Sequence, residues 1–240
     1  MTTWLFDLGN TRLKFARLQP DGSPGETVAI VHDDRGDWLQ ALPRGEVALI
    51  ASVASQARRV ALVEALRAAG FVRLHGVHTQ GRLGRLRIAY AQPRHLGVDR
   101  FLTLLAALDA GPVMLVGVGT ALTCDLLDAQ GVHRGGRIAP SPALMREALR
   151  ARTSMLPEHG GVSADFADDT VHALASGCDG AALALFERSL DAGERLLGSR
   201  PALWLHGGGA EALRSRLPAH VWTADAVLRG LARWHAQCIA

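Results

Sequence analysis

The stretch "FDLGNTRLKF", residues 6–15, decides how the chain is read. Asp7 closes an apolar run formed by Trp4, Leu5 and Phe6. Leu8, Gly9, Asn10 and Thr11 follow, and then a second run, Arg12, Leu13, Lys14 and Phe15. The pattern predicts a strand over Thr3–Asp7, a tight turn, and a strand over Leu13–Leu18. Two chemistries suit that turn. Gly-Asn is a good turn dipeptide, so the stretch can be a plain hairpin. A glycine at a strand end also leaves the backbone bare for a phosphate. Asn10 and Thr11 add donors there, Lys14 adds charge, and Asp7 can hold a magnesium ion that bridges nucleotide phosphates.

The pattern returns. "WLFDLGNTRLKFARLQPDG" (4–22) aligns with "MLVGVGTALTCDLLDAQG" (114–131): apolar strand, glycine, small polar residue, second strand and a turn ending in glycine. Gly9 falls on Gly119 and Asp7 on Gly117, with a one-residue difference in spacing, which points to an internal duplication. Between the copies, 46–55 reads as a buried strand, 55–70 as a helix closed by Gly70, 72–77 as a strand and 97–111 as a helix. After the second copy, helical patterns lie around 142–151 and 178–197. Residues 202–213 read as strand, glycine turn and helix, and 224–237 as a closing helix. The expected division is 1–110 and 111–240.

Composition narrows the classes. The chain has 240 residues, 48% hydrophobic and 20% charged, which suffices for one large domain or two small ones. Mean hydropathy is +0.12 and no apolar run reaches the length of a membrane span. The start lacks the basic-then-apolar pattern of a signal peptide. Cys124, Cys178 and Cys238 form no disulfide or metal pattern. These features predict a cytoplasmic protein. Lys14 is the sole lysine among 26 basic residues, the net charge is only +3, and no basic block alternates with aromatics, so nucleic-acid binding is not expected.

No GxxxxGK[ST] occurs, which excludes a P-loop protein. Two halves built on strand–turn–strand phosphate loops suit the actin-like ATPase and sugar-kinase group. In "HLGVDRF" (95–101), Asp99 sits where a helix starts. It is either a helix cap with a surface ion pair, or an ionised carboxylate that orients a hydroxyl and takes its proton. Arg100 beside it can clamp a carboxylate. "GGG" at 207–209 is either a flexible turn or backbone for an adenosine. His75 and His78 lack partners for a metal set, and the remaining histidines carry no assigned role.

"DLGNTRLK" (7–14), Tyr90, Pro93, "LGVDR" (96–100), "GTALTCD" (119–125), "GGRIAP" (135–140) and Asp169-Thr170 occur in this order. The ordered set, from Asp7 to the final "VLRGL" helix, resembles the type III pantothenate kinases. The resemblance implies an α/β fold of two duplicated actin-like (ribonuclease H-like) domains with mixed sheets flanked by helices, and a site in the cleft between them. It implies a cytoplasmic homodimer that transfers the ATP γ-phosphate to pantothenate, the first step of coenzyme A synthesis. Asp7, Leu8, Gly9, Asn10, Thr11, Arg12, Leu13, Lys14 and Thr120 would bind ATP, with Asp7 at the magnesium ion. Tyr90, Gly97, Val98, Asp99, Arg100 and Thr170 would bind pantothenate, and Asp99 would accept the proton. Three positions depart from the pattern. Gly117 stands where an aspartate usually helps bind a monovalent cation (potassium or ammonium), so either Asp125 serves in its place or the ion is not needed. Ser141 replaces a glycine, and Asp169 replaces an asparagine and adds negative charge near an anionic substrate. The alternatives are a non-catalytic regulatory relative, favoured by the acid lost at 117, and an actin-like kinase for another small alcohol.

Overall fold

The computed structural model describes residues 1–32, 36–153, 155–157 and 159–239. In chain order the first elements are β1 (Thr3–Leu8), β2 (Arg12–Arg17), β3 (Val28–Val31), β4 (Val47–Ser52), α1 (Gln56–Ala68), β5 (Arg73–Gly76), β6 (Arg82–Leu83), β7 (Leu86–Arg87) and α2 (Val98–Ala106). Then come β8 (Val113–Val118), β9 (Ala121–Leu127), β10 (His133–Pro140), α3 (Pro142–Arg150), α4 (Thr170–Leu197), β11 (Ala202–His206), β12 (Val221–Trp222) and α5 (Ala226–Cys238).

Two compact units divide these elements. The first holds Met1–Asp109, Gln130–His133 and Asp225–Ala240; the second holds Ala110–Ala129 and Arg134–Ala224. The sheet of the first runs β3-β2-β1-β4-β5, and that of the second β10-β9-β8-β11-β12. In both, the strand that opens the unit pairs antiparallel with the next strand and parallel with the fourth. The two sheets therefore share one topology, as the repeat in the sequence predicts. Residues 130–133 and the closing helix fall in the first unit. The reason is packing: a Cβ on Gly230 of α5 would stand 2.1 Å from the Leu102 carbonyl oxygen of α2, so the two helices meet at backbone distance.

Burial explains the elements of the first unit. Along β1, Phe6 and Leu8 face one side and join Leu13, Phe15, Leu62, Leu66 and Phe71 in a core. Period-two alternation then puts Leu5 and Asp7 on the opposite side, where α5 lies against β1. In α1, Leu62 and Leu66 are one turn apart and buried, Ser55 caps the start, and Gly70 follows the end at φ 96°. Helix α2 is buried along most of its length, Arg100 and Thr103 included.

In the second unit, Val116, Val118, Leu122, Phe186, Leu190 and Leu205 form the equivalent core. Helix α4 starts at Thr170, a little over two turns before the expected start, because the Asp169 side chain accepts from the His172 N–H and caps it there. The helix expected after "GGG" is a short 3-10 turn over Glu211–Arg216. Among the described residues, no helix is long and apolar enough to cross a membrane.

Candidate active site

The first unit carries Asp7, Lys14, Tyr90, Asp99 and Arg100. Asp7 lies near the end of β1, opposite Lys14 on β2 and Ala51 on β4. It is half-buried. Its carboxyl is raised from 3.8 to about 7: loss of water raises it most, the charge of Asp99 adds to the rise, and Lys14 opposes it. Two carboxylates thus share one neighbourhood with a single lysine as counterweight.

Asp99 is the second residue of α2, where the helix dipole favours a negative charge. Its carboxylate folds back over Gly97, which caps the helix. A Cβ on Gly97 would come within 2.5 Å of Asp99 Oδ1, so the glycine makes room for the acid. Arg100, one residue on, is only 6% exposed. Its Nη1 donates to the Tyr90 hydroxyl at 3.3 Å, and its guanidinium carbon lies 5.9 Å from the Tyr90 ring centre. Tyr90 in turn stacks on His133 at 6.0 Å. The structure therefore brings Asp7, Lys14 and Asp99 into electrostatic reach of one another, and Tyr90 against Arg100. Val98 is buried in the first turn of α2.

The donor set suits a divalent ion. Among the described residues, no group of three His, Cys, Asp or Glu side chains is placed to hold a metal. Asp7 would offer one carboxylate, and phosphate oxygens and water would supply the remaining ligands, as magnesium prefers. A cation there would also relieve the crowding of charge between Asp7 and Asp99.

The second unit carries the other loop. Gly119 N–H donates to the Ala121 carbonyl at 2.9 Å, as Gly9 N–H donates to that of Arg12 at 3.0 Å, and Thr120 lies in this turn. The "GGG" stretch nests against it: Gly209 N–H donates to the Val118 carbonyl, and a Cβ on Gly207 would stand 2.4 Å from that oxygen. Only glycine fits at 207, where φ is 95°. Gly117 is flanked by Thr123 on β9 and His206 on β11. A Cβ at 117 would lie 2.7 Å from the His206 ring and 2.8 Å from Thr123 Oγ1. The space of an acidic side chain is already taken. Asp125 lies opposite Leu115, two residues along β9 from that row.

The two other departures are helix caps. Ser141 Oγ accepts from the Leu144 N–H at 3.3 Å and starts α3. The Asp169 carboxylate accepts from the His172 N–H at 2.8 Å and pairs with the His172 ring, which holds its carboxyl below the usual range. Its charge is committed to the N-terminus of α4, whose first residue is Thr170. No sequence motif marks His32, His133 or His206. Each reaches its place through strand pairing or packing, which leaves no local motif.

Two α/β units of one topology, each with a glycine turn at the end of its first strand, are the duplicated arrangement that the sequence leads one to expect of an actin-like fold. A solved structure from Campylobacter jejuni, described as a conserved protein assigned to the Baf transcriptional activators, shares this fold with a TM-score of 0.66 at 16% identity, over 97% of each chain. The sequence comparisons go further. The type III pantothenate kinase family profile matches residues 4–191. A type III pantothenate kinase of Stenotrophomonas maltophilia (strain K279a) is 52% identical over 238 residues, covering 98% of this chain and 97% of its own. One from Xanthomonas campestris pv. campestris (strain B100) is 50% identical over the same length and coverage. The chain belongs to the type III pantothenate kinase family.

Proposed function

We infer that Asp99 is the proton acceptor in the reaction that defines this family, phosphorylation of pantothenate by ATP at the entry to coenzyme A synthesis. The observation that carries the assignment is the placing of Asp99: at a helix N-terminus, within electrostatic reach of Asp7, and followed by a buried Arg100 held against Tyr90. Pantothenate has a carboxylate at one end and a primary hydroxyl at the other. Arg100 and Tyr90 suit the carboxylate. Gly97 and Val98 shape the turn that aims Asp99 at the hydroxyl, and Thr170 contacts the same substrate.

The first turn, Asp7 to Lys14, binds the ATP phosphates, and Thr120 does so from the second turn. A magnesium ion held by Asp7 would neutralise phosphate charge. The substrate oxygen forms its bond to the γ-phosphorus as the bond to the β-phosphate oxygen breaks. The hydroxyl proton passes to Asp99, and ADP leaves. Catalysis is positioning and charge compensation.

Two finer points belong to the same reading. The protein needs no monovalent cation, because position 117 lacks a carboxylate and its space holds His206 and Thr123. It works as a homodimer, supported by large apolar side chains left exposed on the second unit: Ile138, Val162 and Phe166. The test is transfer of phosphate from ATP to pantothenate by the purified protein with magnesium, alongside Asp99→Asn. Product from the wild type and none from the variant supports the assignment. Wild-type turnover in the variant removes Asp99 as the base. No product from folded, dimeric wild-type protein moves the reading to a regulatory relative or another alcohol substrate.

A further inference from the structure

The first phosphate turn is held from behind, one carbonyl after another. The Leu8 carbonyl accepts from the Val53 N–H at 3.2 Å, and the Thr11 carbonyl from the His32 N–H at 3.2 Å. Those two bonds come from backbone. The two between them come from side chains: the Gly9 carbonyl meets His32 Nε2 at 2.8 Å, and the Asn10 carbonyl accepts from Arg58 Nη1 at 2.9 Å. His32 lies just past β3 and is 5% exposed, packed on Trp38 with ring centres 5.4 Å apart. Arg58 lies in the first turn of α1.

A carbonyl oxygen only accepts, so the contact to Gly9 fixes the His32 proton on Nε2. In a planar trans peptide, C=O and the following N–H point in opposite directions. Tying the Gly9 and Asn10 carbonyls toward His32 and Arg58 therefore aims the Asn10 and Thr11 N–H groups the other way. Without those two bonds either peptide can rotate and present its oxygen, which repels an anion. We propose that His32 and Arg58 are positioning residues of the phosphate turn: they set its peptide planes so that backbone N–H groups, not carbonyls, face the nucleotide phosphates. The proposal rests on the reading that this turn binds those phosphates. It assigns roles to two residues that act through the backbone of the turn.

The test compares His32→Leu, His32→Gln, Arg58→Met and Lys14→Met. KM for ATP, KM for pantothenate and kcat are measured, with calorimetric binding of a non-hydrolysable ATP analogue. His32→Leu removes the donor. His32→Gln restores an N–H at about the place of Nε2. We expect His32→Leu to raise KM for ATP roughly ten-fold with little change in KM for pantothenate, a loss in line with one buried hydrogen bond. His32→Gln should recover most of it, and Arg58→Met, at a half-buried position, should give a smaller rise in the same constant. If His32→Leu proves unfolded, Arg58→Met and His32→Gln carry the test. Equal effects of Leu and Gln at 32, or losses shared evenly between the substrates, overturn the proposal. If Lys14→Met weakens the analogue while the His32 and Arg58 variants do not, the positioning role fails and the turn keeps its assignment. If Lys14→Met leaves the analogue's affinity unchanged, the reading of the turn fails and takes the proposal with it.

Discussion

At the ends of their opening strands the two units present matching rows of side chains. In the first, Lys14, Asp7 and Ala51 stand side by side across β2, β1 and β4; in the second, Thr123, Gly117 and His206 do so across β9, β8 and β11. The bulk is inverted. The first row has a carboxylate in the centre, Lys14 on one flank and small Ala51 on the other, and the second has a bare centre with an imidazole against it. Each of the backbone turns that follow is closed by a glycine N–H, Gly9 to the Arg12 carbonyl three residues on and Gly119 to the Ala121 carbonyl two residues on. The duplicated frame keeps a glycine turn in each unit, while the side chains beside it differ, acidic in the first and filled in the second. The inferred acid–base chemistry therefore belongs to the first unit.

The largest expected effect tests that division. Asp99→Asn keeps the shape of the carboxylate and loses its basicity. We expect kcat to fall by about 10³-fold, the upper part of what general-base catalysis contributes, with the ATP analogue still bound. A kcat within a few-fold of wild type would mean the first unit does not supply the base.

The next effect probes the filled row. Gly117→Asp puts an acid back at the centre of the second row, against His206 and Thr123, both under 3 Å from the new Cβ. Overpacking of this kind costs about 1–3 kcal/mol, so the denaturation midpoint should fall. Adding His206→Ala should return part of the loss, because the ring is the main obstacle. Equal stability of Gly117→Asp and wild type would show that the row has room, and would undo the contrast with the first unit.

Asp7 yields a pH signature that the second row has no group to match. Its carboxyl titrates at about 7 in the folded protein and at 3.8 as a free side chain. The folded state therefore holds this proton more tightly than the unfolded chain does. The stabilisation is complete below 3.8 and is lost as pH rises through 7. In metal-free protein, Asp7→Asn should gain little over wild type at pH 5 and clearly more at pH 8, by about 5 °C in Tm. Magnesium should narrow the gap at pH 8 by compensating the carboxylate. A gap equal at both pH values would mean Asp7 is not under this strain.

Much of this was legible because it is local. The strand–turn–strand repeat, the Ser55 and Gly70 boundaries of α1 and the place of Asp99 at a helix start all follow from residues close in sequence. What escaped depends on residues far apart. His32 reaches Gly9 only because β3 pairs with β2, and His206 reaches Gly117 only because β11 lies beside β8. The closing helix joins the first unit through Gly230 and Leu102, more than a hundred residues apart. The departures at 141 and 169 looked like changes to a binding motif and are helix caps, which a motif comparison alone does not separate.

The smallest expected effect is the most specific to the second row. A monovalent cation beside nucleotide phosphates takes oxygen ligands from the protein, and a carboxylate among them adds charge to offset its lost water. Gly117 offers no side-chain oxygen, and the imidazole of His206 stands where a carboxylate at 117 would reach. We therefore expect exchanging sodium for potassium or ammonium at constant ionic strength to change kcat by less than about two-fold, because the carboxylate at 117 is missing. A steep potassium requirement would show that another group, Asp125 among them, supplies the missing charge. The second row would then be a displaced cation site, and the two halves would differ less than their side chains suggest.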